Sequence, residues 1–155
     1  MLAEHDTVLE DSVEISAPPA RVWAAVSDVR RMSEWSPQVE STRLRNDAQN
    51  VGPGVEFTNF NSQGELKWKT HGTVIQWESD REMAFRIKEN WTVWTFHLEP
   101  TALGTKLTQR REAPDGFAPE ALQSVENYFG GWTAFNERMR AGMRETLQAI
   151  KTSVE

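Results

Sequence analysis

The sequence predicts an α+β fold: an antiparallel β-meander followed by one long amphipathic helix. Two observations predict it. From Val39 to Arg111, short stretches with period-2 alternation follow one another, separated by turn residues. Their spacing of roughly 8–12 residues is that of an antiparallel meander. Beyond Asp115 the period changes, and apolar residues recur every three or four positions almost to the end of the chain. The length of 155 residues suits one domain, with no repeat, low-complexity tract or linker to divide it.

The elements follow in order. Thr7 to Ser16 reads as a strand, because Val13 and Ile15 alternate with Ser12 and Glu14. Pro18 and Pro19 end it and open a helix, where a missing N–H costs nothing. Val22, Trp23 and Val26 form that helix's apolar stripe, and Asp28 to Ser33 reads as a second short helix. Trp35-Ser36-Pro37 terminates it, since the residue before proline avoids helical geometry. Val39 to Leu44 is the next strand, and Val51-Gly52-Pro53-Gly54 a turn. Val55, Phe57 and Asn59 share one face of the following strand. Leu66, Trp68, Thr70, Gly72 and Val74 share one face of the next, with Lys67, Lys69, His71 and Thr73 opposite. The alternation slips at Val74-Ile75, which predicts a bulge. Met83, Phe85 and Ile87, then Trp94, Phe96 and Leu98, then Thr105, Leu107, Gln109 and Arg111 give three more faces. The last helix carries Leu122, Val125, Phe129, Trp132, Met139, Met143, Leu147 and Ile150 on one stripe. Gly130-Gly131 sits within it. Two interior glycines are costly in a helix, so either the backbone packs closely there, or the helix begins afresh at Trp132, or the pair is a hinge that admits a ligand.

Composition narrows the function. With 17 Lys and Arg against 23 Asp and Glu the net charge is −6, the wrong sign for binding nucleic acid by charge. There is no Cys, which removes thiol chemistry and thiolate metal sites and fits a cytoplasmic location. The acidic first residues lack the apolar core of a signal peptide, and no apolar run reaches the roughly 20 residues of a membrane span. The aromatics divide oddly, as 7 Trp, 7 Phe and 1 Tyr. Each buried indole N–H needs a partner, so this many Trp implies either a bulky core or a ring-lined cavity.

The stretch Val13-Glu14-Ile15-Ser16-Ala17-Pro18-Pro19-Ala20-Arg21-Val22-Trp23 resembles the opening of the START/polyketide cyclase-dehydrase (SRPBCC) superfamily. Val26-Ser27-Asp28 through Glu34-Trp35-Ser36-Pro37 is similar to its second-helix signature. Val51-Gly52-Pro53-Gly54, Leu98-Glu99-Pro100 and Gly104-Thr105 resemble it further along. The resemblance implies a helix-grip fold over residues 1–155. A curved seven-stranded antiparallel sheet wraps a long C-terminal helix, with two short helices after the first strand and a cavity between sheet and helix. It also implies an apolar ligand such as a lipid, sterol or polyketide. The superfamily has no universal catalytic residue to carry over.

The candidate pocket residues are Trp35, Phe57, Asn59, Trp68, Thr70, Phe85, Trp94, Phe96, Gln109, Arg111, Phe129 and Trp132. The rings either fill the core or line the cavity. The polar members alternate in phase with the apolar ones, and an unpaired buried amide is expensive. They therefore pair with one another or present themselves to a ligand. The histidines are scattered: His5 in the N-terminal tail, His71 and His97 on outer faces without an acidic partner at ligand spacing. No metal or cofactor is expected. Motifs for nucleophile or phosphate chemistry are absent, and the central inward strand positions carry no His, Asp, Glu, Lys or Tyr. The expected function is a binding or carrier protein for a ring-containing hydrophobic molecule. A polyketide cyclase, aromatase or dehydratase using the same cavity is the first alternative, and a protein-interaction module the second. No nucleic acid and no integral membrane association are expected, and the state is a monomer or a homodimer.

Overall fold

The computed structural model describes residues 8–155. His5, Thr7 and the acidic start of the chain lie outside the described residues. The elements are β1 (Leu9–Ile15), α1 (Pro19–Val26), a 3₁₀ helix (Val29–Glu34), β2 (Val39–Leu44), β3 (Glu56–Gln63) and β4 (Leu66–Glu78). Then come β5 (Glu82–Ile87), β6 (Val93–Pro100), β7 (Thr105–Glu112), α2 (Pro119–Tyr128) and α3 (Trp132–Val154). Among the described residues the seven strands form one sheet in the order β1-β7-β6-β5-β4-β3-β2. Every neighbouring pair is antiparallel. This is the α+β helix-grip arrangement.

Local chemistry explains the boundaries. Pro18 sits extended before α1 and Pro19 opens it, so neither proline removes a helical hydrogen bond. Asp28 caps the 3₁₀ helix, accepting from Arg30 N at 3.0 Å and holding the Arg30 guanidinium at 2.9 Å. Partial burial pushes the Asp28 carboxyl up. The side-chain and backbone bonds from Arg30, with the charges of Arg30 and Arg31, outweigh this and hold it below its ordinary value. The predicted bulge falls in β4, where the pairing shifts between Val74 and Gln76. Ile75 turns out to solvent there, and Trp77 rejoins the interior against Trp23, ring centroids 5.0 Å apart.

The core lies under one half of the sheet. Ile15, Val22, Phe57, Val74, Met83, Leu98 and Leu107 form a buried cluster with Leu147, Ile150 and Val154 of α3. Gly72 is part of this packing. The Phe57 ring lies so close over it that a Cβ at position 72 would stand 2.3 Å from Phe57 Cζ.

The apolar stripe beyond Asp115 is not one rod, and of the three readings of Gly130-Gly131 the one in which the helix begins afresh at Trp132 is the observed one. The stripe is carried by two helices, α2 and α3, separated at Gly130-Gly131. Gly130 has φ 76°, and Gly131 has φ 88° and ψ 172°, a backbone region open to glycine almost alone. Gly131 N–H turns back to the Val125 carbonyl at 3.0 Å, and α3 starts with Phe135 N–H bonding to the Gly131 carbonyl at 3.0 Å. The glycines thus end one helix and begin another, and alanine there is strained rather than helix-favouring. Arg138 bridges the break by donating to the Phe129 carbonyl.

Two outcomes follow for stability. Gly131→Ala should lower unfolding free energy by about 1–3 kcal/mol, the cost of forcing a side chain into that region. Urea unfolding checks it, and an unchanged midpoint would show the break is not held by backbone geometry. Asp28→Ala should cost about 1 kcal/mol at pH 7, the usual worth of a cap. Because the folded carboxyl titrates below its unfolded value, its contribution is complete above the unfolded pKa and fades as pH falls through the folded one. The gap between wild type and Asp28→Ala should therefore shrink on acidification; a constant gap would show that the charge is not what stabilises.

Candidate functional site

The C-terminal half of α3 lies on the core, whereas α2 and the first turns of α3 stand off the other half of the sheet. A cavity of about 470 Å³ separates them. Its sheet wall is Asn59 and Asn61 from β3, Trp68 and Thr70 from β4, Phe85 and Ile87 from β5, Trp94 and Phe96 from β6, and Gln109 and Arg111 from β7. The facing wall is Phe117, Val125, Phe129, Trp132, Phe135 and Met139, with Met32 closing one side.

Strand alternation explains why one wall comes from every other residue. Of the sequence candidates, Asn59, Trp68, Thr70, Phe85, Trp94, Phe96, Gln109, Arg111, Phe129 and Trp132 surround the same volume. Two stand elsewhere. Phe57 is wholly buried in the core, edge-on to Phe85 at 5.3 Å and over Gly72. Trp35 is buried at the end of the 3₁₀ helix, under the Arg31 guanidinium at 4.9 Å.

The rings meet across the cavity's helical side, edge to face except for the tilted Phe117–Trp132 pair. Trp68 on the sheet touches Phe129 at 5.5 Å, Phe129 touches Phe135 at 5.5 Å, and Trp132 contacts Phe135 at 5.6 Å and Phe117 at 4.7 Å. Such edge contacts add attraction beyond simple burial while leaving ring faces available.

The polar lining divides by wall. On β3 and β4 it is partnered within the protein: Asn59 Oδ1 accepts from Thr42 Oγ1 at 2.6 Å, and Asn61 Nδ2 donates to Thr70 Oγ1 at 3.0 Å. At the β6 end, Trp94 Nε1 donates to Thr92 Oγ1 at 3.1 Å, which donates to Asn90 Oδ1 at 2.6 Å. On β7, Arg111 is only 1% exposed; its Nη1 donates to Asn136 Oδ1 at 3.3 Å and its guanidinium lies over the Phe117 ring at 5.2 Å. Gln109 is 8% exposed, and its Oε1 is buried with no hydrogen-bond partner among the described residues.

Sequence periodicity missed the titratable lining, because those groups come from outside the inward strand positions. Glu89 follows β5, Glu120 and Tyr128 belong to α2, and Lys69 lies on the outward-alternating row of β4. Glu89 is held firmly: its carboxylate accepts from His71 N–H at 2.7 Å and meets His71 Nδ1 at 2.6 Å. His71 pairs with Thr58 on the outer row. The reading that left both histidines without acidic partners needs correction, since His97 Nδ1 likewise sits 3.1 Å from Glu82. Loop and cross-strand neighbours supply these carboxylates. Among the described residues no group of three or more His, Cys, Asp or Glu assembles as a metal site. No helix among them is long and apolar enough to cross a membrane.

Comparison with known proteins adds to this geometry. The sequence profile of the family described as "Polyketide cyclase / dehydrase and lipid transport" matches residues 6–155. The solved structure of a Polyketide_cyc-like protein, Cgl2372 from Corynebacterium glutamicum, is similar at 33% identity. The similarity covers 94% of this chain and 89% of that one, with a TM-score of 0.60. Protein CV1439 from Chromobacterium violaceum is similar in fold at 18% identity over 96% of this chain and 98% of that one, with a TM-score of 0.66. The di-domain aromatase/cyclase StfQ of the steffimycin biosynthetic pathway matches at 14% identity and a TM-score of 0.73. It does so over 97% of this chain and 52% of its own. No curated protein matches the chain significantly.

The Trp94–Thr92–Asn90 relay gives a direct check. Thr92→Val keeps the shape but strands the Trp94 N–H, while Asn90 Oδ1 loses the hydroxyl and keeps the backbone N–H of residue 92. It should cost about 1–3 kcal/mol in urea unfolding. A variant as stable as wild type would mean the relay does not hold the cavity's rim.

Proposed function

The chain belongs to the polyketide cyclase/dehydrase and lipid transport family, and from that premise we propose that it binds a ring-containing hydrophobic molecule between its sheet and its C-terminal helices, as a binding or carrier protein. Membership itself supports a hydrophobic-ligand or polyketide-cyclase role. The observation that carries the narrower reading is the cavity of about 470 Å³ bordered by Trp68, Trp94, Phe129, Trp132 and Phe135. That volume lies in the range of small-molecule sites, which are mostly apolar with a few placed polar groups. Protein interiors seldom keep voids of this size unless something fills them. The reading treats residues 1–155 as one cytoplasmic ligand-binding domain that takes no nucleic acid, its net charge of −6 opposing phosphate.

Glu89 favours a second reading, catalysis on a polyketide-like substrate. A carboxylate at the cavity's edge, fixed by two bonds from His71, is a group able to take a proton from a bound molecule. The aromatase/cyclase neighbours share the fold in which such chemistry is done. An interaction module has less support, because the rings of the cavity face inward; Tyr128 and Trp91 are the large aromatics left exposed.

Titration with naphthalene, followed by Trp fluorescence and calorimetry, tests the binding reading. Saturable quenching with a 1:1 endpoint is expected, and Trp132→Ala should weaken it by about tenfold, the worth of one well-packed ring. No saturable response to naphthalene or to larger ring compounds would remove the basis of this proposal.

A further inference from the structure

We propose that the β3–β4 wall reads a carbonyl: the molecule taken into the cavity is a ring ketone or quinone whose C=O oxygen accepts hydrogen bonds from the side chains of Asn61 and Thr70, with Asn59 beside them. This rests on the reading of the cavity as a ligand site. The three residues form one patch. Asn59 stands opposite Thr42 on β2 and Thr70 on β4, and Asn61 is the next inward residue along β3. All three line the cavity. Asn59 and Asn61 are 4% and 6% exposed, and Thr70 is half-buried. The amide end of Asn61 opens onto this space. Its Oδ1 has no hydrogen-bond partner among the described residues, yet it is not sealed from solvent as the Gln109 acceptor is.

A count of hydrogens shows what the patch lacks. An amide carries two N–H donors and one carbonyl acceptor, and a hydroxyl carries one donor. Asn61 Nδ2 spends one N–H on Thr70 Oγ1 at 3.0 Å, which leaves its second N–H and the Thr70 O–H without an acceptor among the described residues. Turning the Asn61 amide over does not change this: Thr70 then donates to Asn61 Oδ1, and both Asn61 N–H groups are left. Asn59 Oδ1 is taken by Thr42 Oγ1 at 2.6 Å, and Asn59 Nδ2 meets the Met32 sulfur, a weak acceptor, at 3.9 Å. Donors therefore exceed acceptors on this wall. A carbonyl oxygen has two lone pairs and no proton, so it can take two of these donors while adding none. An ammonium adds donors where they are already in excess. A carboxylate would bring a full charge into a largely apolar space. A hydroxyl accepts as well, but its own proton competes with the N–H and O–H groups for the one acceptor left in the pair. Trp68 lies opposite Asn61 in the register and lines the same space, so a ring carrying the carbonyl has an aromatic side chain beside it.

The test uses three probes on one ring frame: tetralin, 1-tetralone and 1-tetralol. Each is titrated by fluorescence and calorimetry into wild type, Asn61→Leu and Thr70→Val. Asn61→Leu should weaken 1-tetralone about tenfold, the worth of one satisfied buried hydrogen bond, and leave tetralin within about twofold. Thr70→Val, which keeps the shape and removes one O–H, should also weaken the ketone and spare the hydrocarbon. Infrared spectroscopy reads the carbonyl directly: the C=O stretch of 1-tetralone bound to wild type should lie below its value in hexane and return toward it in Asn61→Leu. If Asn61→Leu weakens ketone and hydrocarbon equally, or if the wild-type stretch is hexane-like, the inference is wrong although the cavity reading stands. The same holds if 1-tetralol binds wild type about tenfold more tightly than 1-tetralone, since the wall would then be taking a proton from the ligand. If none of the three binds wild type, the cavity reading fails and this inference with it. Should Asn61→Leu not fold, the wild-type stretch and the Thr70→Val comparison decide by the same criteria.

Discussion

The packing of α3 against the sheet is the contact on which the rest depends. Leu147 and Ile150 are wholly buried and Val154 nearly so, in one cluster with Ile15, Leu98 and Leu107. Burying each such side chain contributes on the order of 1.5–3 kcal/mol, enough to fix the helix's position on its C-terminal half. The sheet continues past the end of that contact, and the first turns of α3 carry bulky rings that cannot settle onto it with the same closeness. Trp132, Phe135 and Met139 remain half-buried, whereas Leu147 and Ile150 reach zero exposure. Cavity and core are therefore two ends of one interface. The tight end sets the angle, and the rings at the other end keep the gap from collapsing.

Phe57 marks the border between the two ends. Its ring fills the space over Gly72 and stands edge-on to Phe85, which itself looks into the cavity. Gly72 is the residue that permits this, because any side chain there would occupy the ring's place. A core ring and a cavity ring are in direct contact, so a change at either passes to the other through packing.

Much of this was legible in the chain. Period-2 alternation placed Asn59, Thr70, Gln109 and Arg111 on inward faces, and the register agrees, with Asn59 opposite Thr70 and Phe96 opposite Gln109. Alternation says which face a residue occupies but not how far along that face the core ends. Alternation alone therefore groups Phe57 with the cavity. Trp35 groups there as well, because nothing in a short helix's sequence says which way its last ring folds. Glu89, Glu120 and Tyr128 come from a loop and from α2, where strand periodicity has nothing to say. The break between α2 and α3 escaped the pattern for a different reason. Phe129 and Trp132 stand three positions apart, so the apolar stripe runs on unbroken across a backbone that does not. Only the two glycines betrayed it, and their positive φ values show why glycine is required there.

That break separates a lightly buried wall of the cavity from a deeply anchored one. Within α2 only Val125 is fully buried, whereas α3 is anchored along its C-terminal half by the core. α2 is tied at its start by Ala118 N–H to the Asn90 carbonyl at 3.2 Å, and at its end by the Phe129 ring against Trp68. Had the two helices been one rod, shifting Phe129 would have required levering Leu147 and Ile150 out of the core. With Gly131 in an extended, glycine-only geometry, the rod is cut between the wall and the anchor. The cost of moving α2 is then set by its own few contacts, a much smaller quantity than the stability of the core. The glycines thus divide the cavity's cover in two: α2 is held by few buried contacts, whereas the β7 wall belongs to the sheet and the end of α3 to the core.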